Sequence, residues 1–574
     1  MVIIGLSPIL HESAVGVVAG GRLVAAAAEE RFSRIKNDGG FPHRALAYVM
    51  GRAGITARDV DHVAYAALPF HRERLMDLSH FARNVVYVAG AADQLRHKLA
   101  HLLNYGRGIA LYSDWQTLGG TQRRIRRELA KHGLADKMVF VDHHLAHVAS
   151  AYYTSGLDRC LAVSLDGYGS GRSGSFYLAE GGKLRLLASI PYPHSLGTFY
   201  RRVTQALGFK PNRHEGKIVG LAAFGDPTKL YAEVRARFDL DHEDYFRFKS
   251  AQDPFWEKHL VDRYDRADIA AAYQRVLEDV ATLFVGKWVR RTGVDAVVCA
   301  GGVFANVKMN QRIMELPEVR ELYVFPAMGD GGVGVGAALA LTADLRGLTP
   351  ERMPHVYLGP SYSDRDIEGA LAASGLAYRK SPAIERDVAD LLVQNKVVAR
   401  FVGGMEFGPR ALGNRSILYP AIEPSVNKWL NDRLKRTEFM PFAPISLDEK
   451  AHELYVHVDR VRYAAQFMTV TTDCTPRMRK ESPAAVHVDG TARPQLVTEA
   501  INPSMYRILA AYHERTGIPT LINTSYNMHE EPIVCSPEDA IRAFRDGRLE
   551  VLAMGDYLVE MPSAAAAAPT SSPR

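Results

Sequence analysis

Three short apolar runs, each leading into a glycine-containing turn that in two cases also carries an aspartate, constrain this chain's fold more than any other feature. They are Leu161-Ala162-Val163-Ser164-Leu165 before Asp166-Gly167, Ala296-Val297-Val298-Cys299 before Gly301-Gly302, and Leu322-Tyr323-Val324-Phe325 before Gly329-Asp330-Gly331-Gly332. Continuous apolar runs of this length read as buried strands. In open α/β sheets, ligands gather at the carboxyl ends of strands, so the three turns are site candidates and the fold class is α/β. The amino terminus fits the same class: residues 2–6 and 15–18 are β-prone, and Gly20-Gly21 turns the chain into residues 23–28.

A chain of 574 residues is expected to hold two or three cores. Residues 354–364 are rich in Pro, Gly, Ser and Tyr, and a new α/β pattern starts with residues 397–402. The expected division is therefore a first domain over 1–355, a second over 365–561, and a disordered tail over 562–574 whose Ala, Pro and Ser content cannot build a core. Residues 72–134 read as helical and basic, with Arg123, Arg124, Arg126, Arg127 and Lys131 close together. Aromatic residues for base stacking are sparse there, so this reads as a solvated face and nucleic acid is not an expected partner.

The net charge of +6 is a small surplus over a large surface and suits anionic small molecules such as nucleotides. Cys160, Cys299, Cys474 and Cys535 lie far apart, without CxxC spacing, which fits reduced thiols in the cytoplasm. No signal-like segment is visible and no apolar run approaches the roughly 20 residues that cross a bilayer, so no membrane partner is expected.

His143 and His147 form an HxxxH pair in a segment that reads as helix, where positions i and i+4 share a face and His144 points elsewhere. Chance alone supplies roughly one such pair in a chain with this much histidine, so the pair needs further ligands to carry weight. Asp166 and Asp330 are the natural completions. Two histidines with carboxylates suit iron(II), and zinc or manganese less distinctly. Residues 329–336 read as a flexible glycine loop feeding a helix start, where backbone N–H groups could cradle phosphate; tight helix packing accounts for the small residues nearly as well. Gly301 and Gly302 with Asn306 and Asn310, and Lys217 after His214-Glu215-Gly216, add further polar candidates. In the second half, Glu406-Phe407-Gly408-Pro409-Arg410-Ala411-Leu412-Gly413-Asn414-Arg415-Ser416 joins fork-shaped cations to tight turns. Lys435, Arg436, Arg493 and the run Asn523-Thr524-Ser525-Tyr526-Asn527 follow, and the set reads as an anion pocket.

These motifs together resemble the O-carbamoyltransferase family of nodulation-factor, cephamycin, aminoglycoside and ansamycin pathways. The resemblance spans nearly the whole chain and also rests on His11-Glu12-Ser13-Ala14, Glu29-Glu30-Arg31-Phe32-Ser33-Arg34, Pro441-Phe442-Ala443-Pro444 and Asp489-Gly490-Thr491-Ala492-Arg493. It implies an actin/hexokinase-like (ASKHA) amino-terminal domain followed by a smaller YrdC-like domain. In that family, carbamoyl phosphate and ATP give carbamoyl-adenylate in the second domain, and the first transfers the carbamoyl group to a hydroxyl of a small-molecule acceptor. Metal ligands map onto His143, His147, Asp166 and Asp330, with iron(II) or another divalent ion implied and Mg²⁺ compatible with the ATP. Reacting groups map onto His11, Glu12 and Lys36. Nucleotide and phosphate contacts map onto Lys217, Gly301, Gly302, Asn306, Gly331 and Gly332, and in the second domain onto Arg410, Arg415, Lys435, Arg436, Arg493, Ser525 and Asn527. A homodimer is compatible with the resemblance.

His11 suits a general base on the acceptor hydroxyl, since the ordinary imidazole pKa lies near neutrality. Two departures from the family pattern stand out. Glu12 replaces the usual Asp after the first His, and Lys435-Arg436-Thr437-Glu438-Phe439-Met440-Pro441 is one residue short, which leaves Lys435 and Arg436 both eligible as the phosphate ligand. Two other classes remain open: an actin-like ATP-dependent sugar kinase, which shares glycine loops and strand-end aspartates, and a non-catalytic RNA-binding protein.

Overall fold

The computed structural model describes residues 1–9, 11–89, 120–248, 256–435 and 440–561. The expected tail, Arg436 and part of the basic stretch lie outside the described residues. The chain divides into two compact units, one made of Met1–Glu29 with Gly39–Met353, the other of Glu30–Asp38 with the chain from Pro354 onward.

The first unit holds two five-stranded sheets of one design. β1 (Val2–Leu6), β2 (Ala14–Ala19) and β3 (Arg22–Ala28) form an antiparallel meander, and β4 (His62–Tyr65) and β5 (Met138–Phe140) extend it in parallel from β1, in the order β3-β2-β1-β4-β5. β6 (Arg159–Gly169), β7 (Arg172–Glu180) and β8 (Lys183–Pro191) repeat the meander. β9 (Ala296–Ala300) and β10 (Glu321–Val324) repeat the parallel pair, in the order β8-β7-β6-β9-β10. The likeness extends to turn chemistry. Gly20-Gly21 joins β2 to β3 and Gly181-Gly182 joins β7 to β8, all four with positive φ, as a two-residue hairpin of type I′ requires.

Two turns expected from the glycines are regular structure. Asp166-Gly167 is not a turn: β6 runs on through it to Gly169, with its pairing to β7 irregular between Leu165 and Gly169. The glycine run is not a loop either, because the helix begins at Asp330 and takes in residues 331–336. Packing explains its composition. A Cβ on Gly334 would stand 2.9 Å from the Ser7 nitrogen, and one on Gly336 would stand 1.8 Å from the Ala146 oxygen. Small residues let helix α2 (Asp330–Arg346) approach β1 and helix α1 (His143–Tyr153) at backbone distance.

The second unit is built on a mixed eight-stranded sheet. Its strands are β11 (Tyr378–Lys380), β12 (Val398–Phe401), β13 (Arg415–Pro420), β14 (Ala443–Leu447), β15 (Gln495–Val497), β16 (Thr520–Ser525), β17 (Val551–Met554) and β18 (Tyr557–Glu560), in the order β11-β18-β17-β12-β13-β16-β14-β15. Alternation along the strands feeds two cores. Val398, Leu418 and Leu521 pack with Leu392 and Leu509, whereas Ala399, Ile417 and Ile522 pack with Leu430 and Phe544. All four cysteines are buried and free of disulfides. No helix among the described residues is long and apolar enough to cross a membrane.

Candidate functional site

Helix α1 begins where the Asp142 side chain accepts the Leu145 N–H at 2.9 Å, an N-cap that sets the first turn and with it His143. One turn on, His147 lies on the same face, and the two Nε2 atoms stand 3.1 Å apart with the rings nearly perpendicular. Gly169 leaves room for the His143 ring, since a Cβ there would lie 2.1 Å from its Cδ2. The His143 Nδ1 faces the Ala66 carbonyl at 3.4 Å. With the proton on Nδ1, the Nε2 lone pair turns toward the cluster.

Asp166 on β6 and Asp330 at the start of α2 complete the group. His143 Nε2 lies 3.3 Å from Asp166 Oδ2 and 3.5 Å from Asp330 Oδ1; the corresponding distances from His147 Nε2 are 3.8 and 3.6 Å. One ligand atom from each residue falls within 4.8 Å of every other, and all four residues are buried. A cation with bonds of about 2.0–2.2 Å separates neighbouring ligands by roughly 3.0–3.6 Å, so these spacings fit one ion. The charges fit too: among the described residues, the basic groups within ion-pair distance of Asp166 and Asp330 are all histidines. Two buried carboxylates without a lysine or arginine suit a divalent cation.

The protein's own charges pull hard on one another here. Burial opposes ionisation of Asp166, yet His143 and His147 hold its pKa well below the ordinary carboxylate value. Burial also opposes protonation of His143, but Asp330 and Asp166 outweigh it and the pKa rises. The fully buried His144, bonded through Nδ1 to Ser164 Oγ at 2.9 Å, is pushed down to about 3 chiefly by burial and serves packing.

His11 stands beside the cluster, its Nδ1 3.6 Å from Asp330 Oδ2 and its side chain partly open to solvent. Burial lowers its pKa, but Asp330, Glu12 and Asp166 outweigh that and the net shift is upward. Glu12 adopts a left-handed φ of 59°, and its Oε2 lies 3.2 Å from where a Cβ on Gly329 would be. Lys36 lies in the segment counted with the second unit, where its charge, after that of Arg31, helps hold the buried Glu30 ionised against desolvation.

The residues expected to meet nucleotide in the first unit have these surroundings. The Gly302 N–H donates to Asp166 Oδ1 at 3.0 Å, so Gly301-Gly302 aims that carboxylate. Asn306 caps the helix Val307–Met314 and bonds Gln274. A Cβ on Gly332 would meet the Ala327 oxygen at 1.9 Å, whereas Gly331 is open, its nearest neighbours being Glu12 atoms at 3.9 Å. Lys217 is buried on the helix Glu215–Ala222.

In the second unit, Arg415 makes its contacts within the protein. It is fully buried, its guanidinium lies 3.8 Å from the Phe401 ring centroid, and its forks donate to the carbonyls of Val402, Asn414, Pro360 and Gly403. Asn527 is likewise occupied by the Met528 and Glu531 carbonyls. The loop 405–416 that carries the half-buried Arg410 is gripped from within by Glu406 Oε1, which accepts the N–H groups of Leu412, Asn414 and Arg415. Gln495 donates to the Leu412 carbonyl and Asn523 to that of Ala411. The Arg410 loop, the strand after Arg493 and the strand ending at Ser525 are thus tied together. Lys435 is exposed, with a φ of 57°.

The sequence reading missed a second buried group. Tyr168 Oη donates to Glu73 Oε1 at 2.8 Å and lies 3.3 Å from Asp77 Oδ1, while Arg74 pairs with Asp77 at 3.3 Å. Burial is the main cause that pushes Glu73 up to about 7 and Asp77 to about 6. The signal available was two acids four residues apart on one predicted helix.

A family model described as the carbamoyltransferase N-terminus matches residues 2–339, and one described as the carbamoyltransferase C-terminus matches residues 389–561. The chain is 32% identical to the nodulation protein NolNO of Sinorhizobium fredii, over 97% of this chain and 80% of that protein. It is 30% identical to an uncharacterized protein of Synechocystis, covering 97% and 96% of the two chains. It is also 35% identical to an uncharacterized protein of Methanocaldococcus jannaschii, over 76% of each.

Proposed function

The chain belongs to the carbamoyltransferase family, and we propose that it runs a two-step relay, in which the second unit makes carbamoyl-adenylate from carbamoyl phosphate and ATP and the first unit passes the carbamoyl group to a hydroxyl of a small-molecule acceptor. The observation that carries this reading is the pairing of His11 with Asp330, whose other oxygen belongs to the His143, His147, Asp166 cluster. Balance of atoms defines the first step. Carbamoyl phosphate loses phosphate to water, and the resulting carbamate oxygen displaces pyrophosphate from the α-phosphorus of ATP. Arg410, with Lys435 and Arg493, offsets phosphate charge, and Mg²⁺ can accompany the nucleotide.

In the second step the acceptor hydroxyl attacks the carbamoyl carbon and AMP leaves. His11 takes the hydroxyl proton through Nε2, because Asp330 faces its Nδ1 and orients the ring. His143, His147, Asp166 and Asp330 would hold a divalent cation, iron(II) by donor set, which when bound supplies Lewis acidity to the site. The first unit is read as actin/hexokinase-like, supported by its two sheets of equal strand order and matching Gly-Gly hairpins. The second is read as YrdC-like, by family resemblance, and the protein as cytoplasmic.

Incubation with carbamoyl phosphate and ATP, followed by mass spectrometry, tests the reading. Carbamoyl-adenylate with phosphate and pyrophosphate supports it. ADP with a phosphorylated acceptor would replace it with a sugar kinase.

A further inference from the structure

We propose that Glu30–Asp38 is a positioning strap for the anion-binding loop of the second unit, with Arg31 and Arg34 as positioning residues; this rests on the reading of Arg410 as a phosphate ligand. The chain leaves the first unit after Glu29, contributes these nine residues to the second, and returns at Gly39. The strap is closed on itself: Asn37 N–H donates to Glu30 Oε2 at 2.7 Å, and Arg34 and Asn37 take left-handed φ values of 60° and 57°.

Three of its side chains reach the rest of the second unit. Arg31, buried, donates through Nη2 to the Gly408 carbonyl at 2.9 Å. Gly408 has a φ of 124°, a conformation in which only glycine is comfortable, and it stands two residues before Arg410. Phe32 packs against Met405, Ala411, Ile533 and Cys535. Arg34 donates to the carbonyls of Ile533 and Pro532 at 2.7 and 2.8 Å and pairs with Asp539 at 3.2 Å. Contacts at 405, 408 and 411 bracket Arg410 on both sides.

A loop held at such points has one geometry on offer to the phosphate. Without Arg31, the Gly408 carbonyl loses a charged donor and the loop samples other geometries. The chemistry of the second unit then depends on residues that precede most of the first unit in sequence.

The test uses the full chain with Arg31→Ala and Arg31→Lys, by hydrogen exchange over 405–416 and by initial rates of pyrophosphate release at varied ATP. Arg31→Ala is expected to speed exchange in that loop by about tenfold or more and to raise the KM for ATP by a similar factor. Arg31→Lys, which keeps one donor for Gly408, should fall between, and it carries the comparison alone if Arg31→Ala does not fold. Transfer from supplied carbamoyl-adenylate should stay within about twofold of the parent. Unchanged loop exchange, an unchanged KM, or an equal loss of transfer would overturn the proposal. If the parent protein releases no pyrophosphate, the reading of function fails while the exchange measurement still decides the strap.

Discussion

The Nδ1 of His11 lies 3.6 Å from Oδ2 of Asp330, and the other oxygen of the same carboxylate faces His143 and His147 at 3.5 and 3.6 Å. One side chain at the first position of a helix therefore bridges the ligand cluster and the candidate base. Anything that moves Asp330 moves both.

Replacing His143 or Asp330 by alanine is expected to lower bound metal and carbamoyl transfer together. The loss should exceed the roughly 10–100-fold that removal of an outer supporting partner costs, because the remaining ligands cannot close the site. Metal content by elemental analysis, read beside transfer rates, checks it; full metal content in both variants would refute the ligand assignment.

Iron is the metal expected after anaerobic purification, since two imidazoles and two carboxylates suit iron(II). Elemental analysis that finds zinc alone counts against this.

How much of this could be read beforehand depended on whether a residue's role is local. His143 and His147 share a face because four residues advance a helix by about one turn, and Asp166 and Asp330 follow apolar runs that become strands. Local pattern sufficed to nominate all four. The run at 329–336 misled because glycine favours loops in isolation, and only the approach of Ser7 and Ala146 accounts for it in a helix. Arg415 makes a related case: a fork-shaped cation two residues after Gly413 looks like a phosphate ligand, and the carbonyls of Pro360 and Val402 that it meets leave no mark in the local sequence. Residues 30–38 join the second unit through contacts 377 and 499 positions away, a relation without a local signature.

Asp142→Ala should cost about 1 kcal/mol of stability through loss of the N-cap and should weaken metal binding as well, because the frayed first turn carries His143. Asp142→Asn should restore most of both. Urea denaturation with parallel metal titrations checks this; a stability loss with metal affinity untouched would mean the turn holds without its cap.

Glu73, buried beside Asp77 and Tyr168 with Arg74 and His143 the nearby basic groups, has a carboxyl pKa raised to about 7. A folded pKa above the unfolded one means that its contribution is fully present below about pH 4 and is lost as pH rises through 7. The loss is on the order of 3 kcal/mol. Between pH 5 and 8 the Tm of the parent should therefore fall more steeply than that of Glu73→Gln. Parallel slopes in a thermal-melt series would show that this carboxyl is not the source.

The relay itself is tested most directly by separating its halves. Arg410→Ala is expected to lose carbamoyl-adenylate formation by about 10²–10³ in rate, the scale for one preorganised donor, and to regain acceptor carbamoylation when synthetic carbamoyl-adenylate is supplied. His11→Ala should make the adenylate at the parent rate and remain slow in transfer from the supplied compound. An Arg410 variant that forms adenylate normally, or a His11 variant that transfers normally, would contradict the division of chemistry between the two units.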